Sequence, residues 1–214
     1  MTSPTPDLPQ RPEDQTSLRR KPSQRRSRER VERILACATG LISGKGSDAM
    51  RMSEVARLAG VSIGSLYQYF PDKSAIVRTL AERYNAESRQ CIKEGLAHVE
   101  TMDELCDAFG ELVDVYYEIF LAEPVMRDIR SATQADRALR DIEIAESRAN
   151  GAVLAGALER VRSGSGADEG STSAFLIMHL GEETMRLAIS VGRAEGDALV
   201  ATYKRMALAA LRRN

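Results

Sequence analysis

Apolar positions recur at helical spacing along nearly the whole chain, and nowhere at the two-residue spacing of a strand. Val31, Ile34, Leu35, Ala38, Leu41 and Ile42 predict a first helix that begins at 23–27 and ends by Ser43 and Gly44, with Gly46 completing the stop. Two short apolar segments follow, 52–59 and 63–69, separated by Gly60, Val61 and Ser62. Pro71 breaks the chain and Asp72 is placed to cap a fourth helix reaching about 97, with Ile76, Val77, Leu80 and Tyr84 on its inner face. A fifth helix over 102–121 carries Leu105, Phe109, Leu112, Val113, Tyr116 and Phe120. Pro124 opens a short sixth that ends near Arg130. A seventh over 134–161 presents Leu139, Ile142, Ala145, Ala149, Val153, Ala157 and Val161. Residues 163–170 (SGSGADEG) read as a flexible loop.

The last two predicted helices, 171–192 and 195–212, differ from the rest. The first has one stripe at Leu176, Leu180, Thr184, Leu187 and Val191, and a second at Phe175, Met178, Met185 and Ile189. A helix apolar on two sides is buried on two sides, so one stripe faces its own domain and the other needs a partner. The final helix offers Leu199, Tyr203, Met206 and Ala210, with Ala207 and Ala209 small enough for close helix approach. The pattern predicts an all-α chain of about nine helices without internal repeats.

Charge adds an asymmetry. The chain has a net charge of -1, but residues 1–74 hold 13 Lys/Arg and 8 Asp/Glu, while residues 75–214 hold 17 and 23. A basic front end fits a surface for phosphates. Residues 1–22 hold five of the seven prolines and almost no apolar side chains, so they are expected to be a disordered tail. Arg19, Arg20, Lys21, Arg25, Arg26, Arg28, Arg30 and Arg33 make 19–33 Arg-dense, as in a basic arm lying on DNA or as in a solvated tail. No run reaches 18 apolar residues and the N-terminus lacks an apolar leader core, so no membrane span and no secretory signal are expected. Three scattered cysteines (Cys37, Cys91, Cys106) suggest small packing residues in a reducing cytoplasm rather than a disulfide framework. No Cys/His/carboxylate cluster has metal-ligand spacing, so neither metal nor cofactor is expected. No nucleophile–base pair or carboxylate pair stands at telling spacing either, which sets an enzyme aside.

The most specific stretch is residues 51–73, RMSEVARLAGVSIGSLYQYFPDK. It reads as helix, tight turn, helix. Its second segment is small and polar on one face, at Ser62, Gly64, Ser65 and Gln68, as a helix lying in a major groove about 12 Å wide requires. Val55-Ala56, Ala59-Gly60-Val61-Ser62, Gly64-Ser65-Leu66-Tyr67, Tyr69-Phe70 and Lys73 make it resemble the DNA-binding helix-turn-helix of the TetR family of transcriptional regulators. The motif covers about a tenth of the chain, and beyond it the likeness is one of general design. The resemblance implies a helix-turn-helix DNA-binding head over 23–72. It also implies a helical effector-binding and dimerisation domain over 73–214, whose last two helices pair with their copies.

Each motif residue has an expected role. Ser62 caps the recognition helix. Ile63, Gly64, Ser65 and Gln68 face bases and nearby phosphates. Gln68 carries the donor and acceptor that adenine's edge requires, and Ile63 suits a thymine methyl. Tyr67 and Tyr69 offer hydroxyls to phosphates, Lys73 a charge at a helix start, and Leu66 and Phe70 hold the recognition helix from behind. One position departs from the family: Arg51 stands where Thr or Ser usually caps the first motif helix, leaving Ser53 as the alternative cap. Arg51 and Ser53 remain candidate phosphate contacts.

Candidates for an effector pocket among the fifth to eighth helices are Phe109, Tyr116, Tyr117, Phe120, Met126, Met178 and His179, each also readable as plain core. Glu143, Glu146, Glu182 and Glu183 suit a cationic ligand or, as the preferred reading, a solvated helix face. Candidates for a dimer interface are Phe175, Met185, Leu187, Ile189, Tyr203, Met206 and Ala210. The expected function is a homodimeric cytoplasmic repressor released from a palindromic operator by an unidentified small molecule. The alternative is a ligand-independent DNA-binding protein of the same dimeric architecture, and an apolar pocket is the observation that separates the two.

Overall fold

The computed structural model describes residues 17–123, 125–126, 128–129, 137–162 and 167–213. Among the described residues there are eight long or short α-helices and no strand: α1 (Ser17–Ala49), α2 (Met52–Ala59), α3 (Ile63–Tyr69), α4 (Lys73–Gly95), α5 (Met102–Ala122), α6 (Arg137–Arg162), α7 (Ala167–Ser190) and α8 (Arg193–Arg213). Residues 125–126 and 128–129 are also helical, while Pro124 and Arg130, the expected ends of a short sixth helix, lie outside the described residues.

Two boundaries differ from expectation. α1 begins at Ser17 rather than at 23–27, so residues 17–22 of the expected tail are helical, and 1–16 lie outside the described residues. α7 begins at Ala167, inside the expected 163–170 loop, of which 163–166 lie outside the described residues.

The head is built from local signals. Ile34, Leu35, Ala38 and Ile42 of α1 are buried against Val55, Ala56 and Ala59 of α2, Leu66 of α3, and Ile76, Val77 and Leu80 of α4. Each fully buried Leu or Ile contributes about 1.5–3 kcal/mol. α2 ends at Gly60 in the left-handed region (φ 64), and the Val61 amide returns to the Ala56 carbonyl at 3.0 Å. α3 starts where Ser62 Oγ accepts from the Ser65 amide at 3.1 Å, and α4 where Asp72 Oδ1 accepts from the Ala75 amide at 2.7 Å. α2 has no side-chain cap: Arg51 occupies the cap position and Ser53 does not replace it.

The larger body has its own core from the end of α4, α5, α6, α7 and α8, including Ile92, Leu105, Phe109, Phe120, Leu154, Met185 and Leu211. Thr101 and Glu104 close a reciprocal capping box at the start of α5, a signal present in the sequence as Thr-Met-Asp-Glu.

Head and body are joined by more than α4. Val125, Ile129 and Leu139 are buried in the head's core, not the body's. Gly46 breaks α1 at φ 81, and just beyond it the Ser47 amide donates to Asp128 Oδ2 at 2.7 Å. A Cβ at Gly46 would lie 3.3 Å from Asp128 Oδ1 in a backbone conformation that L side chains rarely adopt. The expected glycine stop is thus an internal break that turns a final turn of α1 toward Asp128. Asp128→Ala leaves the amide of buried Ser47 without its acceptor. Urea denaturation should show a loss of about 1–3 kcal/mol with an unchanged slope. An unchanged midpoint would mean that this bond does not tie the two parts.

Candidate functional site

α3 presents Ile63, Gly64, Tyr67 and Gln68 to solvent, with Ser65 and Tyr69 half-buried at the flanks and Leu66 buried behind. Phe70 is buried as well, so the short helix is held on its inner side by two large apolar groups. An added Cβ on Gly64 would meet nothing within 4 Å. Its glycine costs about 1 kcal/mol relative to Ala in a helix, and no neighbour in the fold requires it. Arg51, Ser53 and Ser62 are exposed along the same end of the head.

Tyr69, expected to offer its hydroxyl to phosphates, is joined to α1 through that hydroxyl. Ser27 Oγ of α1 donates to its hydroxyl at 3.3 Å. That bond first, and the Arg30 charge after it, hold the Tyr69 phenol below its ordinary pKa. Because Ser27 donates, the Tyr69 proton remains available to another acceptor. Lys73 is half-buried, with Nζ 3.2 Å from the Asp48 carbonyl at the end of α1, so its charge is placed by the fold.

The body contains a cavity of about 170 Å³. Of the seven expected lining residues, Phe109, Tyr116, Met126 and Met178 line it. Tyr117, Phe120 and His179 do not. Tyr117 is buried on the side of α8, beneath the Arg193 guanidinium, and Phe120 is fully buried core in edge contact with Tyr116. His179 turns toward α6, with Nδ1 3.2 Å from Ser147 Oγ. Among the lining residues not anticipated are Tyr84, Cys91 and Ile92 from α4, Val115 and Ile119 from α5, and Gly181 from α7. The signal for those of α4 was a second stripe at Tyr84, Ser88, Cys91 and Ile92, one helical turn apart beyond the head-facing stripe. Cys91 is exposed at this wall rather than packed as a small core residue. Met185 and Tyr203, expected at a dimer interface, also line the cavity. Tyr203 donates to the Ile177 carbonyl at 2.7 Å, and burial, with the Glu182 charge second, pushes its phenol pKa far up.

The acidic residues are not a solvated face. Glu143, Glu146 and Glu182 are all buried. Tyr116 donates to Glu182 Oε1 at 2.8 Å at the cavity wall. Arg186 of α7 reaches Glu143 of α6 at 3.0 Å, and Arg89 of α4 reaches Glu146 at 3.1 Å. Glu183 alone keeps an exposed carboxylate, bridged to Arg186.

The expected interface residues divide. Leu187 (51% exposed) and Met206 (65% exposed) face outward, with Leu176 and Leu180 beside Leu187 on α7. The stripe holding Met178, Met185 and Ile189 faces the body's own core, because Met185 and Met178 fill space between α5 and α8. Ala210 is half-buried against the same core, and Phe175 is half-buried under the Arg148 guanidinium.

A helix-turn-helix head with an open polar recognition face, on a helical body that holds an apolar cavity, defines a DNA-binding transcriptional regulator. Residues 34–80 match the model for bacterial regulatory proteins of the tetR family, and residues 103–214 match that for the tetracyclin repressor-like C-terminal domain. The chain belongs to the TetR family. It is 37% identical over 84 residues to the HTH-type transcriptional regulator HbdR of an Aromatoleum species, covering 37% of this chain and 35% of that protein. It is 29% identical over 133 residues to the HTH-type transcriptional repressor KstR of Mycobacterium tuberculosis, covering 58% of this chain and 60% of the repressor. The chain thus spans between about a third and three-fifths of these curated relatives. A TetR-family regulator from Streptomyces coelicolor shares the fold, with a TM-score of 0.67 at 22% identity, covering 87% of this chain and 98% of that one.

The buried ion pair between α6 and α7 generates a stability prediction. Arg186→Met removes a cation from beside buried Glu143, at a cost of about 3–5 kcal/mol, and Arg186→Met with Glu143→Leu should recover most of it. Equal destabilisation of single and double variants in chemical denaturation would contradict the pairing.

Proposed function

We propose that this protein is a homodimeric repressor whose hold on a palindromic operator is weakened by an apolar small molecule in the body. In this reading residues 23–72 form the DNA-binding head and 73–214 the effector and dimerisation domain, acting in the cytoplasm. The observation that carries it is the cavity wall: α4 contributes Tyr84, Cys91 and Ile92 to the cavity, and the same helix starts at Lys73 beside the recognition helix. α4 has 23 residues, about 35 Å at 1.5 Å per residue, so a small tilt at the cavity displaces the head. Met126 adds a second route, since it lines the cavity while its neighbour Val125 is buried in the head's core. The cavity favours this reading over ligand-independent binding.

The outward stripe Leu176, Leu180 and Leu187 with Met206 supports pairing of α7 and α8 with a second copy. A two-fold dimer requires a two-fold site, with half-sites about 34–36 Å apart or slightly more. No helix among the described residues is long and apolar enough to cross a membrane.

The test is selection of bound genomic fragments followed by sequencing. An inverted repeat is expected, and a single asymmetric half-site would count against the dimer. Products and substrates of the genes beside the recovered site are then added to operator titrations. A ligand that serves as a switch lowers operator affinity by a coupling of about 1–3 kcal/mol. Equal affinity with and without every ligand that binds the protein would leave the ligand-independent reading.

The recognition face gives a residue-level prediction. Gln68→Ala should relax preference at one base pair by about 1–3 kcal/mol, whereas Lys73→Ala should weaken all sequences alike and make the salt dependence shallower by about 1. Binding measured on a set of operator variants separates the two, and an unchanged ranking for Gln68→Ala would remove it from base readout.

A further inference from the structure

We propose that the flank of α1 carrying Arg26 and Arg30 is a second DNA-contact surface, which grips backbone phosphates beside the groove that α3 enters. The inference rests on α2 and α3 being the DNA-binding motif and adds a contact outside it.

Four observations converge on this flank. First, it is continuous with the recognition helix. Ser27 of α1 bonds the Tyr69 hydroxyl at 3.3 Å, and the Arg30 charge one turn further along α1 acts on the same phenol. α1 continues as helix from Ser27 back to Ser17, about 15 Å beyond that bond at 1.5 Å per residue. Second, the acids of this stretch are turned elsewhere. Glu29 pairs with Arg25 at 3.3 Å, and both Glu32 oxygens are held by Arg83 of α4. Third, Arg26 and Arg30 take part in no ion pair among the described residues, and Arg26 is exposed. Fourth, they stand four residues apart on one face, a spacing at which like charges repel in an isolated helix. A run that merely solubilised the helix would alternate sign, as Arg25 and Glu29 do. Two arginines one helical turn apart can reach one anion or two adjacent anions, and the planar fork of arginine suits a phosphate edge. Arginines here add affinity and register without reading bases, because phosphates carry no sequence information.

The test uses the full chain and an operator recovered by genomic selection, with binding measured across a series of salt concentrations. Removing one arginine from a phosphate makes the slope of log affinity against log salt shallower by about 0.9, so R26Q should reduce it by about 0.9 and R26Q/R30Q by about 1.8. The ranking of operator base-pair variants should not change in either. R30K should keep the slope of the unaltered protein at that position. R205Q, an exposed arginine on α8, should match the unaltered protein. Since the Arg30 charge also acts on Tyr69, a purely positioning role would weaken binding at an unchanged slope. That result, or an unchanged slope in R26Q with native helicity, overturns the proposal. If the unaltered chain selects no operator, the DNA-binding reading falls and this surface with it. If it selects one and the slopes coincide, only this surface falls.

Discussion

The head cannot close its own hydrophobic core. α1, α2, α3 and the start of α4 bring Ile34, Leu35, Val55, Leu66 and Ile76 together, but Val125, Ile129 and Leu139 come from beyond the head and are buried among them. A unit of this size buries too small a fraction of its surface to be more than marginally stable alone. Borrowing three apolar side chains from the body fixes the position of the recognition helix relative to everything behind it. Leu66 and Phe70, which hold α3 from inside, belong to the same cluster as the borrowed residues. The orientation of the recognition face is therefore set jointly by the head's sequence and by the placement of the segment around 125–129.

The cavity lies where that joint is made. Tyr84 packs against both cores and lines the cavity, and Met126 lines it two residues before the capping carboxylate of Asp128. Around it the helices are registered by charge rather than by apolar contact alone. Arg89 ties α4 to Glu146 on α6, and Arg186 ties α7 to Glu143 on the same helix. Each pair joins a buried glutamate of α6 to an arginine of a neighbouring helix, and moving those helices apart would cost that charge contact. α6 is thus tied by charge to both α4 and α7, while the wall between α4 and α5 is apolar, as the proposed effector site requires.

Local chemistry made the head legible in the sequence. Gly60, Ser62 and Asp72 specify a turn and two caps by their own backbone and side-chain preferences, and the structure places all three in those roles. The helical stripes gave the all-α class, and four expected cavity residues line it: Phe109 and Tyr116 on α5, Met178 on α7 and Met126 in the segment between α5 and α6. What sequence could not resolve was which of two faces turns inward. On α7 both stripes are apolar, and only the positions of α5 and α8 decide that Met185 goes in and Leu187 stays out. The same limit hid the burial of Glu143, Glu146 and Glu182. A glutamate on a helix is usually solvated, and the partners that permit burial, Arg186, Arg89 and Tyr116, are remote in sequence or on other helices. The Ser47–Asp128 bond, across 81 positions, leaves no local trace at all.

The energies at the joint fit the proposed switch in size. A useful coupling between effector and operator is about 1–3 kcal/mol, and a single buried hydrogen bond such as that of the Ser47 amide to Asp128 is worth about the same when broken. Displacing the segment that holds Met126 and Asp128 therefore has enough leverage without unpacking either core. Opening the head's core would instead expose several large apolar groups at about 1.5–3 kcal/mol each, well above the coupling a switch needs. On these magnitudes the proposed ligand-driven change would be a rigid shift of the head on its joint, with α1, α2 and α3 moving together. The bond from Ser27 to Tyr69 would then hold through the shift, and the α1 flank would leave the DNA with the recognition helix.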